Sequence, residues 1–196
     1  MLGRALDAAF RNLATLFCVC AVIFVPLNLA HAFVFRNVLA VSELAPDIEA
    51  FPEGRKVRNV GSAELRDERT TGIVLLIVEA GLLVLVVGAA RRSIDVEDGG
   101  GVATVPDSFA NALSNLRGEA PDPRVVLGGV IVGAVSGWLT LTIGYRLAEI
   151  LGSDAAYLGI GLSRGVAASL AGALIAGTAA ASRRMAKPPP EKLDLY

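Results

Sequence analysis

The chain has 196 residues, of which 54% are hydrophobic and 19% are charged, and its mean hydropathy is +0.58. Soluble domains carry about 25% charged residues, so this composition favours a membrane protein. The formal net charge of -1 lacks the basic surplus of nucleic-acid-binding proteins, and we therefore expect no nucleic-acid partner.

The first predicted element is an amphipathic helix over residues 2–13. It places apolar side chains on one face and Arg4, Asp7 and Arg11 on the other, a pattern typical of a helix lying in the membrane interface. The apolar run 13–35 that follows exceeds the ~20 residues needed to cross a bilayer, and a proline inside it is tolerated in a membrane span. We therefore predict the first span here.

A cleaved signal peptide is the alternative for this region. The basic start and the small residues Ala30 and Ala32 resemble such a leader with its cleavage site. The apolar region of a signal peptide has about 7 to 15 residues, whereas this run is longer and continues past the site. These differences favour an uncleaved span.

Residues 36–70 form a polar excursion with six basic and seven acidic side chains. Its apolar residues would allow it to fold back onto the membrane, and a disordered loop is the equal alternative. Ser62 is a suitable N-cap for a helix that rises into the second predicted span, residues 71–90. That span ends at Arg91 and Arg92.

The second half of the chain predicts a second interfacial helix and two further spans. Three glycines at 99–101 form a hinge, and Pro106 and Asp107 suit the first turn of a helix that continues to about residue 116. The third and fourth spans cover residues 125–148 and 157–182. Residues 1–184 then form a single membrane domain, and the proline-rich residues 185–196 form a disordered cytoplasmic tail.

Small residues recur at four-residue spacing in both of the last two spans. Such spacing places them on one helical face, where another helix backbone can approach closely. We interpret the two spans as a tight antiparallel hairpin that packs through these faces. The glycines concerned are Gly129, Gly133 and Gly137 in the third span, and Gly161, Gly165, Gly172 and Gly177 in the fourth.

Taken together, these elements predict an all-α fold, an integral membrane four-helix bundle with two interfacial amphipathic helices. Short sequence echoes before the first and third spans, and after the second and fourth, suggest a tandem duplication, with low-complexity coincidence as the alternative. Ten Lys and Arg residues lie on the side of the N-terminus and seven on the other, which favours cytoplasmic termini in a cell membrane.

Four polar side chains fall within the predicted spans: Glu79, Arg164, Asn28 and His31. Intramembrane ionisable groups are costly and usually face a bundle interior or a partner charge. One interpretation is a proton-coupled or ligand-binding cluster in which Glu79 titrates. The other is structural, in which Glu79 pairs with Arg164 and accepts a hydrogen bond from Asn28. Arg164 could also extend to the interface, which would leave Glu79 protonated.

Sequence motifs that announce an enzyme, a metal or a cofactor are absent, so we expect none of these. The opening segment GRALDAAFRNLATLFCVCAVIFVPLNL resembles the membrane domain attached to some bacterial glycerophosphodiester phosphodiesterases, through the pair Arg11 and Asn12 and the break Phe24-Val25-Pro26. The resemblance covers about the first 40 residues and implies a polytopic membrane protein. It transfers no catalytic residue, because the chain has no room for the catalytic barrel.

Three classes of function remain open. The first is a structural or accessory membrane protein that packs against lipids, a membrane-protein partner or a second copy through its small-residue faces. The second is a small transporter or channel subunit that uses the polar cluster around Glu79. The third is an intramembrane enzyme that acts on lipid.

Overall fold

The computed structural model describes residues 1–36, 39, 62–110, 112, 121–150 and 156–185. These residues form helices and turns and contain no strand, which confirms the predicted all-α class. The helices are α1 (Leu2–Arg11), α2 (Leu13–Val34), α3 (Ser62–Asp98), α4 (Val105–Phe109), α5 (Pro123–Ile150) and α6 (Ala156–Met185). Most of the predicted polar excursion and nearly all of the predicted tail lie outside the described residues.

Four of these helices are long and apolar enough to cross a membrane, and they match the four predicted spans. The most apolar stretch, in α3, is only 22% buried, whereas the least apolar one, in α6, is 50% buried. In water, the most apolar helix would be the most buried one. Here the most apolar span is less buried than the least apolar span, as expected when lipid surrounds the protein. The chain is therefore a multi-pass membrane protein.

Helix α3 is longer than the predicted second span. It begins at Ser62, crosses the span without interruption and ends at Asp98, with a total length of 37 residues. The chain then turns at the glycines, where Gly100 has a φ of +80°, a conformation that other residues rarely adopt. The charged residues after the span favour a helix as well as they favour a loop, which is why hydropathy placed the end too early.

Helix α1 has the predicted amphipathic pattern. Ala5 and Ala9 are fully buried, and Ala5 packs with Val125 and Ala181. On the opposite face, Arg11 and Asp7 form an exposed ion pair at 2.6 Å. Small side chains on the inner face allow the helix to lie close to its neighbours.

The part of the predicted second interfacial helix that the structure describes is the short α4, which ends at Phe109. Apart from Ala110 and Ala112, the remainder of that prediction lies outside the described residues. Thr104 caps α4, because its Oγ1 accepts a hydrogen bond from the Asp107 amide at 3.3 Å. The buried Ser108 and Ser93 hydroxyls share a hydrogen bond of 2.7 Å, which attaches α4 to α3.

The chain divides into two compact units. The first contains Met1–Val19, Leu83–Ala134 and Ala171–Tyr196, and the second contains Cys20–Leu82 and Val135–Leu170. All the boundaries between them fall inside the four long helices. Each unit therefore receives a segment of every span, and the polar residues predicted within the spans all belong to the second unit.

Candidate functional site

Six polar side chains of the second unit form what we call the polar cluster. Asn28 and His31 come from α2, Glu68 and Glu79 from α3, Tyr145 from α5 and Arg164 from α6. Glu68 and Glu79 are 11 residues apart, close to three helical turns, so both lie on the same face of α3. All four spans thus contribute to the cluster.

The Asn28 amide links α2 to α3. Its Nδ2 donates one hydrogen bond to Oε1 of Glu79 at 2.5 Å and another to the Phe24 carbonyl at 2.9 Å. The Asn28 side chain is buried, so both amide hydrogens are used inside the protein. This arrangement agrees with the predicted Asn28–Glu79 contact, and the amide bonds both to its own helix and to the carboxyl group of α3.

Arg164 pairs with a different acid from the one predicted. Its Nη1 lies 3.4 Å from Oε1 of Glu68, and the two side chains are 22% and 13% exposed. The Nε of Arg164 also donates a hydrogen bond to the Tyr145 hydroxyl at 3.1 Å. The predicted Glu79–Arg164 pair is therefore wrong, because α3 begins early enough to bring Glu68 into the bundle on the same face as Glu79.

His31 is the polar side chain that the cluster leaves unsatisfied. It is only 7% exposed, and neither ring nitrogen has a hydrogen-bond partner among the residues that the structure describes. The imidazole lies 5.0 Å from the Phe35 ring, and it is close to the Glu68 backbone without meeting hydrogen-bond geometry; the charges of Arg164 and Glu68 are within electrostatic range. A buried polar group without a partner costs about 1–3 kcal/mol, so this imidazole indicates a place where a polar ligand or water would be favourable.

Two glycines of α6 position the α2 segment that carries Asn28 and His31. A Cβ on Gly165 would lie 2.7 Å from Val25 Cα, and one on Gly161 would lie 2.8 Å from Ala32 Cβ. Only glycine permits this approach, so α2 and α6 are in close backbone contact on both sides of Asn28. The polar cluster therefore lies beside a closely packed helix pair.

The last two spans contact each other closely, as predicted for a hairpin. The glycines of α5 take part in this contact, but Gly161, Gly165 and Gly177 of α6 do not. On α5, Gly129 contacts Thr178 and Gly133 contacts Ala171 and Ile175, all on α6. The glycines of α6 face other helices. Gly161 and Gly165 contact α2, and Gly177 contacts α1 and α2 through Ala9 and Leu16; Gly137 and Gly172 are buried. Small residues occur on several faces of α6 because it packs against several helices.

Two members of the cluster were not predicted as site residues. Glu68 belongs to the charged stretch 36–70 that precedes the predicted second span, and Tyr145 lies at the end of the third span. The signal that could have found Glu68 is its spacing from Glu79, since acids 11 residues apart share a helical face. Tyr145 carries no comparable signal in the sequence.

The chemistry available to the cluster is proton exchange and hydrogen bonding. Within the described parts of the chain, no group of three or more His, Cys, Asp or Glu side chains could hold a metal ion. No protein-family model, no curated protein and no solved structure matches this chain. The resemblance of its opening segment to phosphodiesterase membrane domains stays a prediction.

Proposed function

We propose that this chain is a non-enzymatic membrane protein with a structural or accessory role, in contact with lipids and with a membrane-protein partner or a second copy. The observation that supports this role is that the glycines pack inside the chain while large apolar side chains are exposed. On α5 and α6, the glycines whose surroundings the structure describes contact other helices of the same chain, so those positions are not available to a partner. The exposed side chains of α3 and α5 include Ile73, Val74, Ile77, Val84, Leu127, Ile131, Trp138 and Ile143.

These exposed side chains supply an apolar surface that suits lipid or another membrane helix. Native mass spectrometry of the protein, extracted gently from its own membrane, tests the accessory role. We expect a stoichiometric complex with another membrane protein or with a second copy. A lone chain that retains a defined small molecule would contradict an accessory role and favour a binding function.

We further propose that both termini face the cytoplasm and that the membrane is the cell membrane, on the basis of the Lys and Arg distribution. Ala63 and Val102 are exposed and lie beyond opposite ends of the second span. A cysteine replacing Val102 should react with an impermeant reagent only from the cytoplasmic side, and one replacing Ala63 only from outside. The reverse pattern would contradict this orientation.

A second candidate function is a small transporter or channel subunit that moves protons. It is supported by the arrangement around Glu79, whose described partner is the neutral Asn28 and not a cation. We expect the Glu79→Gln variant, reconstituted in liposomes, to lose at least about 90% of any proton flux, because the amide cannot exchange a proton. Unchanged flux in a folded variant would contradict transport through Glu79.

A further inference from the structure

A gap on the inner face of α3 extends the polar cluster. Gly72 lies four residues after Glu68 and seven before Glu79, spacings that put all three on one helical face. Gly72 is half-buried, yet a Cβ placed on it would meet no described atom within 4 Å. At Gly161 and Gly165, in the same unit, a Cβ would overlap α2. Packing among the described helices therefore does not account for a glycine at position 72, and the described residues leave space beside it.

The histidine without a hydrogen-bond partner, His31, lies on α2 near this gap. Consecutive spans run in opposite directions, and the Asn28–Glu79 hydrogen bond sets the level at which α2 and α3 meet. His31 lies about one helical turn beyond Asn28 toward the end of the bundle that holds Glu68, and its ring comes within interaction range of the Glu68 backbone. His31 therefore lies on the side of Glu79 where Gly72 and the Glu68–Arg164 ion pair are found.

We propose that α2 and α3 enclose a water-filled crevice that begins at the Glu68–Arg164 pair, passes Gly72 and His31 and delivers protons to the Glu79 carboxyl group. Water satisfies both ring nitrogens of His31, one as donor and one as acceptor, and a buried water needs two to four such polar partners. In the transfer step, hydronium gives its proton to a Glu79 carboxylate oxygen, leaving water and a neutral carboxyl group. The proposal rests on the transport candidate and names its ligand and its route.

The proton is the ligand that this chemistry favours. Arg164 is engaged by Glu68, and no described residue places a cation against Glu79. The charged or titratable groups around the crevice are His31 from α2, Glu68 from α3, Tyr145 from α5 and Arg164 from α6. An ionised carboxylate without a cation is costly inside the membrane, and a proton removes that cost without requiring more space.

Cysteine reactivity tests the crevice. In a background that carries Cys18→Ser and Cys20→Ala, Gly72→Cys and Leu75→Cys probe the inner face of α3 at two depths. Val74→Cys and Ile77→Cys are the matched controls, since each lies two residues further along, about 200° around the helix, and is exposed on the outer face. Only a thiolate that water can reach attacks the sulfur of a charged methanethiosulfonate reagent and displaces its sulfinate, so each inner cysteine should react at least about tenfold faster than its control.

Equal or slower reaction at the inner positions would overturn the crevice.

Carbodiimide labelling tests whether Glu79 receives a proton, because dicyclohexylcarbodiimide accepts the proton of a carboxyl group and bonds to its oxygen. We expect one adduct, on Glu79 and absent from Glu79→Gln, whose formation slows as the pH outside is raised. An adduct on Glu68 alone, or no response to outside pH, would overturn proton delivery to Glu79. Reactive inner cysteines with unchanged proton flux in Glu79→Gln would instead contradict transport and leave the crevice in place.

Discussion

The Gly165→Ala variant should lose about 1–3 kcal/mol of unfolding free energy, although it adds only a methyl group. The new Cβ would lie 2.7 Å from Val25 Cα and 3.2 Å from Val25 Cγ2. A Cα belongs to the backbone, so relief of this overlap requires α2 and α6 to move apart, with loss of packing along both helices. Reversible unfolding in mixed micelles, followed by helical circular dichroism, measures the effect.

Gly81→Ala is the matched control for this substitution. Gly81 lies in the α3 span, is exposed, and a Cβ on it would meet no described atom within 4 Å. Alanine is the better helix former by about 0.8–1 kcal/mol, so this variant should be as stable as the parent protein or more stable. Equal losses at both positions would show that the glycine contact with Val25 does not hold α6 against α2.

The Arg164→Met variant should be destabilised by about 3 kcal/mol, because it leaves the mostly buried Glu68 carboxylate without its cation. The double variant Arg164→Met with Glu68→Gln should recover a large part of the lost unfolding free energy, because the uncompensated carboxylate charge is then removed. A double-mutant cycle on unfolding free energies measures this coupling between the two side chains.

The second cycle, with Glu79→Gln in place of Glu68→Gln, is the control. Glu79 has Asn28 as its described partner, so its coupling to Arg164 should be smaller by at least about 1 kcal/mol. A larger coupling between Arg164 and Glu79 than between Arg164 and Glu68 would contradict the pairing in this structure. The two cycles together decide which acid neutralises the intramembrane arginine.

The structure also changes what a substitution at Glu79 is expected to do. If Glu79 were the partner of Arg164, Glu79→Gln would release a buried cation and destabilise the bundle. Since the contact is with Asn28, a glutamine can still accept the amide hydrogen through its side-chain oxygen. Loss of proton flux in a stable Glu79→Gln protein therefore reports on proton exchange rather than on folding.

The sequence by itself determined the number and position of the spans. Crossing a bilayer needs about 20 apolar residues in succession, and this is a local property that can be read along the chain without knowing its neighbours. The same holds for α1, whose amphipathic pattern depends on positions three and four residues apart. The predicted spans accordingly agree with the helices, and α3 begins at the predicted Ser62 but continues through charged residues past the predicted end of its span.

Only the tertiary structure decided which side chains meet. Glu68 and Glu79 share a face of α3, and the choice of acid for Arg164 depends on the rotation and axial position of α6, which no local pattern specifies. Gly165 and Gly133 have the same spacing signal, yet one contacts α2 and the other contacts α6. Small-residue spacing shows that a helix can be approached closely. Which helix approaches is decided by the packing of all four spans at once, because each contact constrains the others.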